Sequence, residues 1–257
     1  MFERRIVLKY GLAGLASLLP AVVDSQTSGQ PPAPPAPSPA EPRKPAPGAF
    51  DPASVVDAAR ALSKKPYKAP AADLPEPFAS LTFEQYAAIR NQPGSAIWAS
   101  ENTGYAIEPL HRGFVFTTPV SIEVVEEGVQ RRLAYNSADF SFGQLKAPAE
   151  GKDLGFSGFR VLRLREGQPP VEVAIFQGAS FFRSLASGQN YGVTARGLSI
   201  RTADPKGEEF PLFRAIWIEK PTLAADALVI HALLDSESVS GAYRFTLRAA
   251  EATIIDT

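Results

Sequence analysis

The chain has 257 residues, 45% hydrophobic and 21% charged, with 26 Lys and Arg against 27 Asp and Glu and a net charge of −1. This is the balance of an ordinary folded domain, without the basic surplus of a nucleic-acid binder. Cysteine is absent and the histidines number two, His111 and His231. Disulfides, thiolate metal sites, cysteine nucleophiles and lipidation on an N-terminal cysteine are thereby excluded, and neither a histidine-rich zinc site nor any cofactor is expected.

Arg4 and Arg5 precede an apolar stretch over 10–23 that is short of the roughly 20 apolar residues a bilayer span needs. A basic start followed by a short apolar segment reads as a signal peptide, placed at 1–25, with no permanent membrane anchor. Arg4-Arg5-Ile6-Val7-Leu8-Lys9 resembles the twin-arginine export motif in its paired Arg, its Leu and its Lys, and departs from it at Glu3 and Val7. It makes the twin-arginine machinery an expected partner and the periplasm the expected location. The segment 26–49 is dominated by Pro, Ala, Gly and Ser. Proline lacks the backbone donor and fixes φ, so an extended linker is expected there.

Two short helices open the folded region, 50–257. Asp51 is placed to cap a helix beginning at Pro52, with Val55, Val56, Ala59 and Leu62 on one face, and Pro66 closes it. Thr82 and Gln85 form a capping-box pair for a second helix that ends near Arg90. Everything beyond reads as strands. Val120, Ile122 and Val124 alternate with polar residues, and Glu127-Gly128 turns the chain into 129–135, a hairpin signature. Further strands are expected over 159–164, 171–176, 193–200, 214–219, 228–234 and 243–247. His231 falls in one of these apolar runs and is expected to be structural. Without helical periodicity between the strands, βαβ crossovers and a parallel sheet are not expected. The fold class is mainly all-β, an antiparallel β-sandwich behind two short N-terminal helices.

The familiar nucleotide-binding and hydrolase motifs are absent. The unusual segment is 178–197, GASFFRSLASGQNYGVTARG, which mixes glycines, aromatic rings, amides and two arginines. A sugar site uses such a mixture, with flat rings against C–H surfaces and planar donors toward hydroxyls. Arg183, Tyr191 and Arg196 are the candidate carbohydrate-binding residues. A regular strand would put Tyr191 and Arg196 on opposite faces, so a bulge at Gly192 or Gly197 is expected to unite them. Glycoside hydrolysis uses two carboxylates across the scissile bond. The acid pairs Glu208-Glu209, Glu126-Glu127 and Asp235 with Glu237 all fall at expected turns, and none is assigned to catalysis.

Taken together, 50–67 (FDPASVVDAARALSKKPY), 81–98 (LTFEQYAAIRNQPGSAIW), 110–120 (LHRGFVFTTPV), 154–160 (LGFSGFR), 176–200 (FQGASFFRSLASGQNYGVTARGLSI), 207–221 (GEEFPLFRAIWIEKP) and 234–245 (LDSESVSGAYRF) resemble the periplasmic glucan biosynthesis family. These are the G and D proteins of osmoregulated periplasmic glucan synthesis. Phe181 stands where the family often has Tyr, and Ala186 where it often has Gly. The resemblance implies a β-sandwich like that of galactose mutarotase and a role with β-1,2-linked glucan. That role is either endo-β-1,2-glucanase-type processing or non-catalytic binding and assembly. It further implies a chain that stops inside the family's first domain, with the catalytic acids beyond Thr257. No cleavage of glucan is then expected from this polypeptide alone, and its stability is expected to be marginal.

Overall fold

The computed structural model describes residues 5–8, 48–71, 73–222 and 226–257, the first four by their backbone alone. Most of the expected signal peptide and linker therefore lies outside the described residues, Arg4 included. The elements in chain order begin with β1 (Arg5–Leu8), α1 (Pro52–Ser63), α2 (Phe83–Ala87), β2 (Arg90–Asn91), β3 (Tyr105–His111), β4 (Ser121–Glu126), β5 (Val129–Arg132) and β6 (Phe140–Ser141). They continue with β7 (Phe156–Arg163), β8 (Val171–Gln177), β9 (Phe181–Ser184), β10 (Ala195–Arg196), β11 (Leu212–Glu219), β12 (Leu228–Asp235), β13 (Val239–Ala249) and β14 (Thr253–Asp256).

Among the described residues the larger sheet runs β1-β13-β12-β11-β4-β5, with β14 also on β13, and the smaller runs β10-β9-β8-β7-β3. A short ribbon pairs β2 with β6. The two sheets share one core. Phe159 and Phe176 stack at 5.1 Å within the smaller sheet, and Phe176 and Phe182 meet Phe245 of the larger one edge-on at 5.3 and 5.4 Å. Phe159, Phe176 and Phe245 are essentially inaccessible, and each such ring contributes on the order of 2–3 kcal/mol by leaving water. Tyr105 joins the sheets by hydrogen bond as well, its hydroxyl accepting from the Ala249 N–H at 3.1 Å.

The fold class expected from the alternating runs holds, with two departures in pairing. β4 and β11 run parallel, Ser121 opposite Ala215 and Val125 opposite Glu219. The connection is no βαβ crossover: after the β4–β5 hairpin the chain leaves to build β7 to β10 and returns to the vacant side of β4. A strand that re-enters its sheet after such an excursion can take either direction, and hydrophobic alternation does not report which. β1 also runs parallel, beside the first half of β13.

Local chemistry explains the helices. Asp51 accepts from the Ala53 N–H at 2.9 Å, with Pro52 at the first helical position. Thr82 and Gln85 complete a reciprocal capping box around α2. α1 lays Val55 and Ala59 over the outer face of β12 and β13. Under this cover His231 donates from Nε2 to Glu219 at 2.6 Å, with the Phe50 ring 5.2 Å away, the structural role expected of it.

The other histidine is also part of the core. His111 donates from Nδ1 to the Arg112 carbonyl at 2.6 Å and accepts at Nε2 from the Tyr135 hydroxyl at 2.8 Å. Phe78, Phe140 and Phe142 surround its ring. Burial drives its pKa down to about 4, so it stays neutral in the folded protein.

Candidate functional site: the outer face of the smaller sheet

Phe182 points into the core, and strand alternation therefore turns its neighbours Phe181 and Arg183 to the outer face. The registers extend that face into a row at right angles to the strands: Glu108 opposite Arg160, Arg160 opposite Ile175, and Ile175 opposite Arg183. Arg160 ties the row together, its Nη1 donating to Glu172 at 3.3 Å and its Nε lying 3.6 Å from the Glu108 carboxylate. That Nε is buried and makes no hydrogen bond among the described residues, a cost that the facing Glu108 carboxylate partly offsets.

Beside this row lies a cleft of about 210 Å³ lined by Tyr86, Arg90, Asn91, Arg160, Glu172 and Gln177, among others. A smaller recess continues it past Ile175 and Gln177 to Phe116, Phe181 and Arg183. The polar groups are held in place. Gln177 donates from Nε2 to the Tyr86 hydroxyl at 2.6 Å and to Ser157 Oγ at 2.8 Å, while Tyr86 donates to the His111 carbonyl at 3.1 Å. With both amide hydrogens committed, the Gln177 carbonyl oxygen is what remains for a ligand. Asn91 donates to the Pro109 carbonyl at 2.9 Å.

The three residues singled out in the sequence fall on this surface with unequal roles. Arg183 donates from Nε to Thr194 Oγ1 at 2.7 Å. Tyr191 lies in the loop between β9 and β10 and donates its hydroxyl to Glu172. Burial first, and the Glu172 carboxylate second, push the Tyr191 pKa well above the ordinary tyrosine range, with Arg160 and Arg183 pulling the other way. Tyr191 thus meets Glu172, and Arg183 lies near enough for its charge to act on the Tyr191 hydroxyl. Arg196 is opposite Phe181 on the same face, but it is already engaged. Its guanidinium sits 5.6 and 5.7 Å from the Phe181 and Phe210 ring centroids and bonds Glu208 at 2.5 Å.

The expected strand over 193–200 reduces to Ala195–Arg196, and the opposite-faces objection disappears because Tyr191 is not in a strand. No bulge is required. Gly197 instead meets the core, where an added Cβ would stand 2.9 Å from Phe213. Val193, apolar and β-branched, is 96% exposed in the loop before β10.

Arg160, Glu172, Gln177, Tyr86 and Asn91 were not found by sequence reasoning. Arg160 and Glu172 did carry a signal, as charged residues inside runs read as apolar strands. The acid pairs at turns are structural: Glu209 accepts from Ser238 N–H and Oγ at 2.9 and 2.6 Å, Asp235 accepts from Ser240 at 3.1 Å, and Glu126 accepts from the Trp98 indole at 2.7 Å. Among the described residues no group of three or more His, Asp or Glu gathers in a way that could hold a metal ion.

A β-sandwich with a polar, aromatic-edged groove on one outer face is the class of protein these features define. The family model described as "Periplasmic glucan biosynthesis protein, MdoG" matches residues 50–257, and the chain belongs to that family. It is 46% identical over 211 residues to a glucans biosynthesis protein G of Rhodopseudomonas palustris, covering 82% of this chain and 42% of that protein. Against the protein of the same name from Vibrio cholerae it is 46% identical over 211 residues, 81% of this chain and 39% of the relative. A Shewanella protein of that name is 44% identical over 211 residues. The chain thus spans about two fifths of the length of the relatives it matches.

Proposed function

We propose that residues 50–257 bind a β-1,2-linked glucan chain in periplasmic glucan biosynthesis, along the outer face of the smaller sheet. The family and the relatives' name supply the glucan. The observation that carries the site is the row Glu108–Arg160–Ile175–Arg183 with Tyr191 closing over Glu172. It sets fixed charges on either side of one apolar floor residue, Ile175, at the spacing of neighbouring strands, about 5 Å, comparable to the size of a sugar ring. Binding of β-1,2-glucan is measured by calorimetry or affinity electrophoresis with the parent chain and with Arg183→Ala. Affinity in the parent and at least about tenfold loss in the variant support the reading, whereas equal binding by the two removes Arg183 and its row from the site.

The reading makes this chain a binder. Glu108 and Glu172 both pair with Arg160, and Glu172 also takes the Tyr191 hydrogen bond, so neither is presented free toward a scissile oxygen. Endo-β-1,2-glucanase-type activity rests on the resemblance alone, and reducing-end release from β-1,2-glucan by this polypeptide would establish it instead. Periplasmic location by twin-arginine export follows from Arg4 and Arg5. Among the described residues no helix is long and apolar enough to cross a membrane.

A further inference from the structure

We infer that Phe114 and Phe83 form a stacking platform for a sugar ring at the rim of the groove, beyond Tyr86. The inference rests on the proposed glucan-binding role and extends it to a further subsite.

Phe83 opens α2 and is 60% exposed; Phe114, in the loop after β3, is 36% exposed. Their rings meet edge-on at 5.9 Å, Phe114 stacks beside Tyr86 at 6.4 Å, and Tyr86 leads on to Phe116 at 5.7 Å. Single exposed rings are common on protein surfaces, but a contiguous series leading into a polar cleft is not.

The loop spends stability to hold this display. Phe114 has φ +53°, a left-handed conformation that costs a bulky residue on the order of 1–3 kcal/mol. Its neighbour Gly113 is crowded, an added Cβ falling 2.8 Å from Leu81. Arg112, 3% exposed, fixes the loop from beneath. Its Nε and Nη2 donate to the Thr117 carbonyl at 2.8 and 2.6 Å, and its Nη1 to Leu154 at 2.8 Å. Reciprocal backbone bonds between Gly113 and Phe116, at 3.1 and 2.9 Å, close the turn. The ring is therefore set in place before any ligand arrives.

The surroundings identify the occupant. The rings run directly into Tyr86, Gln177 and the Arg160–Glu172 pair. A hydrocarbon or an apolar protein segment crossing that boundary would take the Arg160 ion pairs out of water and leave the Gln177 carbonyl oxygen without a donor. A pyranose chain presents C–H faces and hydroxyls in alternation, and satisfies both halves.

The test compares the parent chain with Phe114→Ala, Phe83→Ala and Phe114→Trp, using β-1,2-glucan polymer and the β-1,2-linked glucose disaccharide as probes. Loss of one stacked ring is expected to weaken polymer binding about tenfold, in line with other aromatic–ring stacking. Phe114→Trp should restore it, and melting temperatures should match the parent. Should Phe114→Ala lower the melting temperature, Phe83→Ala carries the test, since its side chain is mostly in solvent. Polymer binding unchanged in Phe83→Ala and Phe114→Ala overturns the platform. If Arg183→Ala still abolishes binding in that case, the groove stands and the platform alone is lost. A parent chain that binds neither probe overturns both.

Discussion

Tyr191 donates its hydroxyl to Glu172, nineteen residues earlier in the chain, and this bond fastens the β9–β10 loop across the groove. Burial and the facing carboxylate keep the phenol protonated far above neutral pH, so the donor is always present. Tyr191→Phe keeps the ring and removes the bond, a change of about 1 kcal/mol. Glucan affinity is expected to fall about fivefold with little change in melting temperature. Unaltered affinity would show that the loop does not depend on this anchor.

Arg112 is the buried support of the 113–117 loop. Truncating it strands the carbonyls of Thr117 and Leu154 and removes the hydrogen bond that holds the Asp73 carboxyl below its usual range. Arg112→Ala is expected to cost about 3 kcal/mol or more, read as a lower denaturant midpoint at constant m.

Stability should fall on mild acidification. In the unfolded chain His111 takes up a proton near pH 6.5, whereas in the folded protein it does so only near pH 4. Between these values the unfolded state binds the extra proton, so this contribution is complete above about pH 6.5 and is lost as pH falls toward 4. The interval corresponds to about 3 kcal/mol. Burial also depresses His231, which acts in the same direction. Unfolding free energies at pH 7 and pH 5 check this, and the difference should shrink in His111→Gln.

Gly158 and Gly128 are both glycines with positive φ, yet they should respond differently to alanine. A Cβ at Gly158 would lie 2.0 Å from the Phe176 carbonyl oxygen and 2.9 Å from Gln177 Cα, both in the backbone of β8. At Gly128, in the β4–β5 turn, nothing lies within 4 Å. Gly158→Ala should prevent folding or lower the midpoint severely, whereas Gly128→Ala should cost only the left-handed backbone term, about 1–2 kcal/mol.

Arg4 and Arg5 are expected to direct export of folded protein. Replacing both with Lys and following the precursor by fractionation provides the check. Periplasmic yield equal to the parent's would exclude twin-arginine export.

What the sequence discloses depends on how local the cause is. The Asp51 and Thr82–Gln85 caps and the Glu127-Gly128 turn were legible because each acts within a few residues, and Glu127 and Gly128 do take φ +51° and +77°. β7, β8, β11, β12 and β13 were legible by alternation, with ends shifted by a few residues. β3 escaped because it is buried on both faces and carries Pro109, so it shows no period of two. The groove was half visible. Arg183 and Tyr191 stood out by composition, but Glu172, which accepts from Tyr191, and Arg160, which pairs with Glu172, come from strands whose register no local pattern fixes.

The parallel seam between β4 and β11 sets an order of events during synthesis. Ser121 leaves the ribosome long before its partner Ala215 exists, a delay of several seconds at about 5–20 residues per second. Throughout that interval the β4–β5 hairpin carries an open edge on its β4 side, and the smaller sheet is translated while the larger one is unfinished. Sequence-distant pairing of this kind also places folding in the slow range, milliseconds to seconds. The nascent chain is consequently most exposed to edge-to-edge association between the emergence of β5 and that of β11, and a holdase acting on this protein would have its longest period of use there.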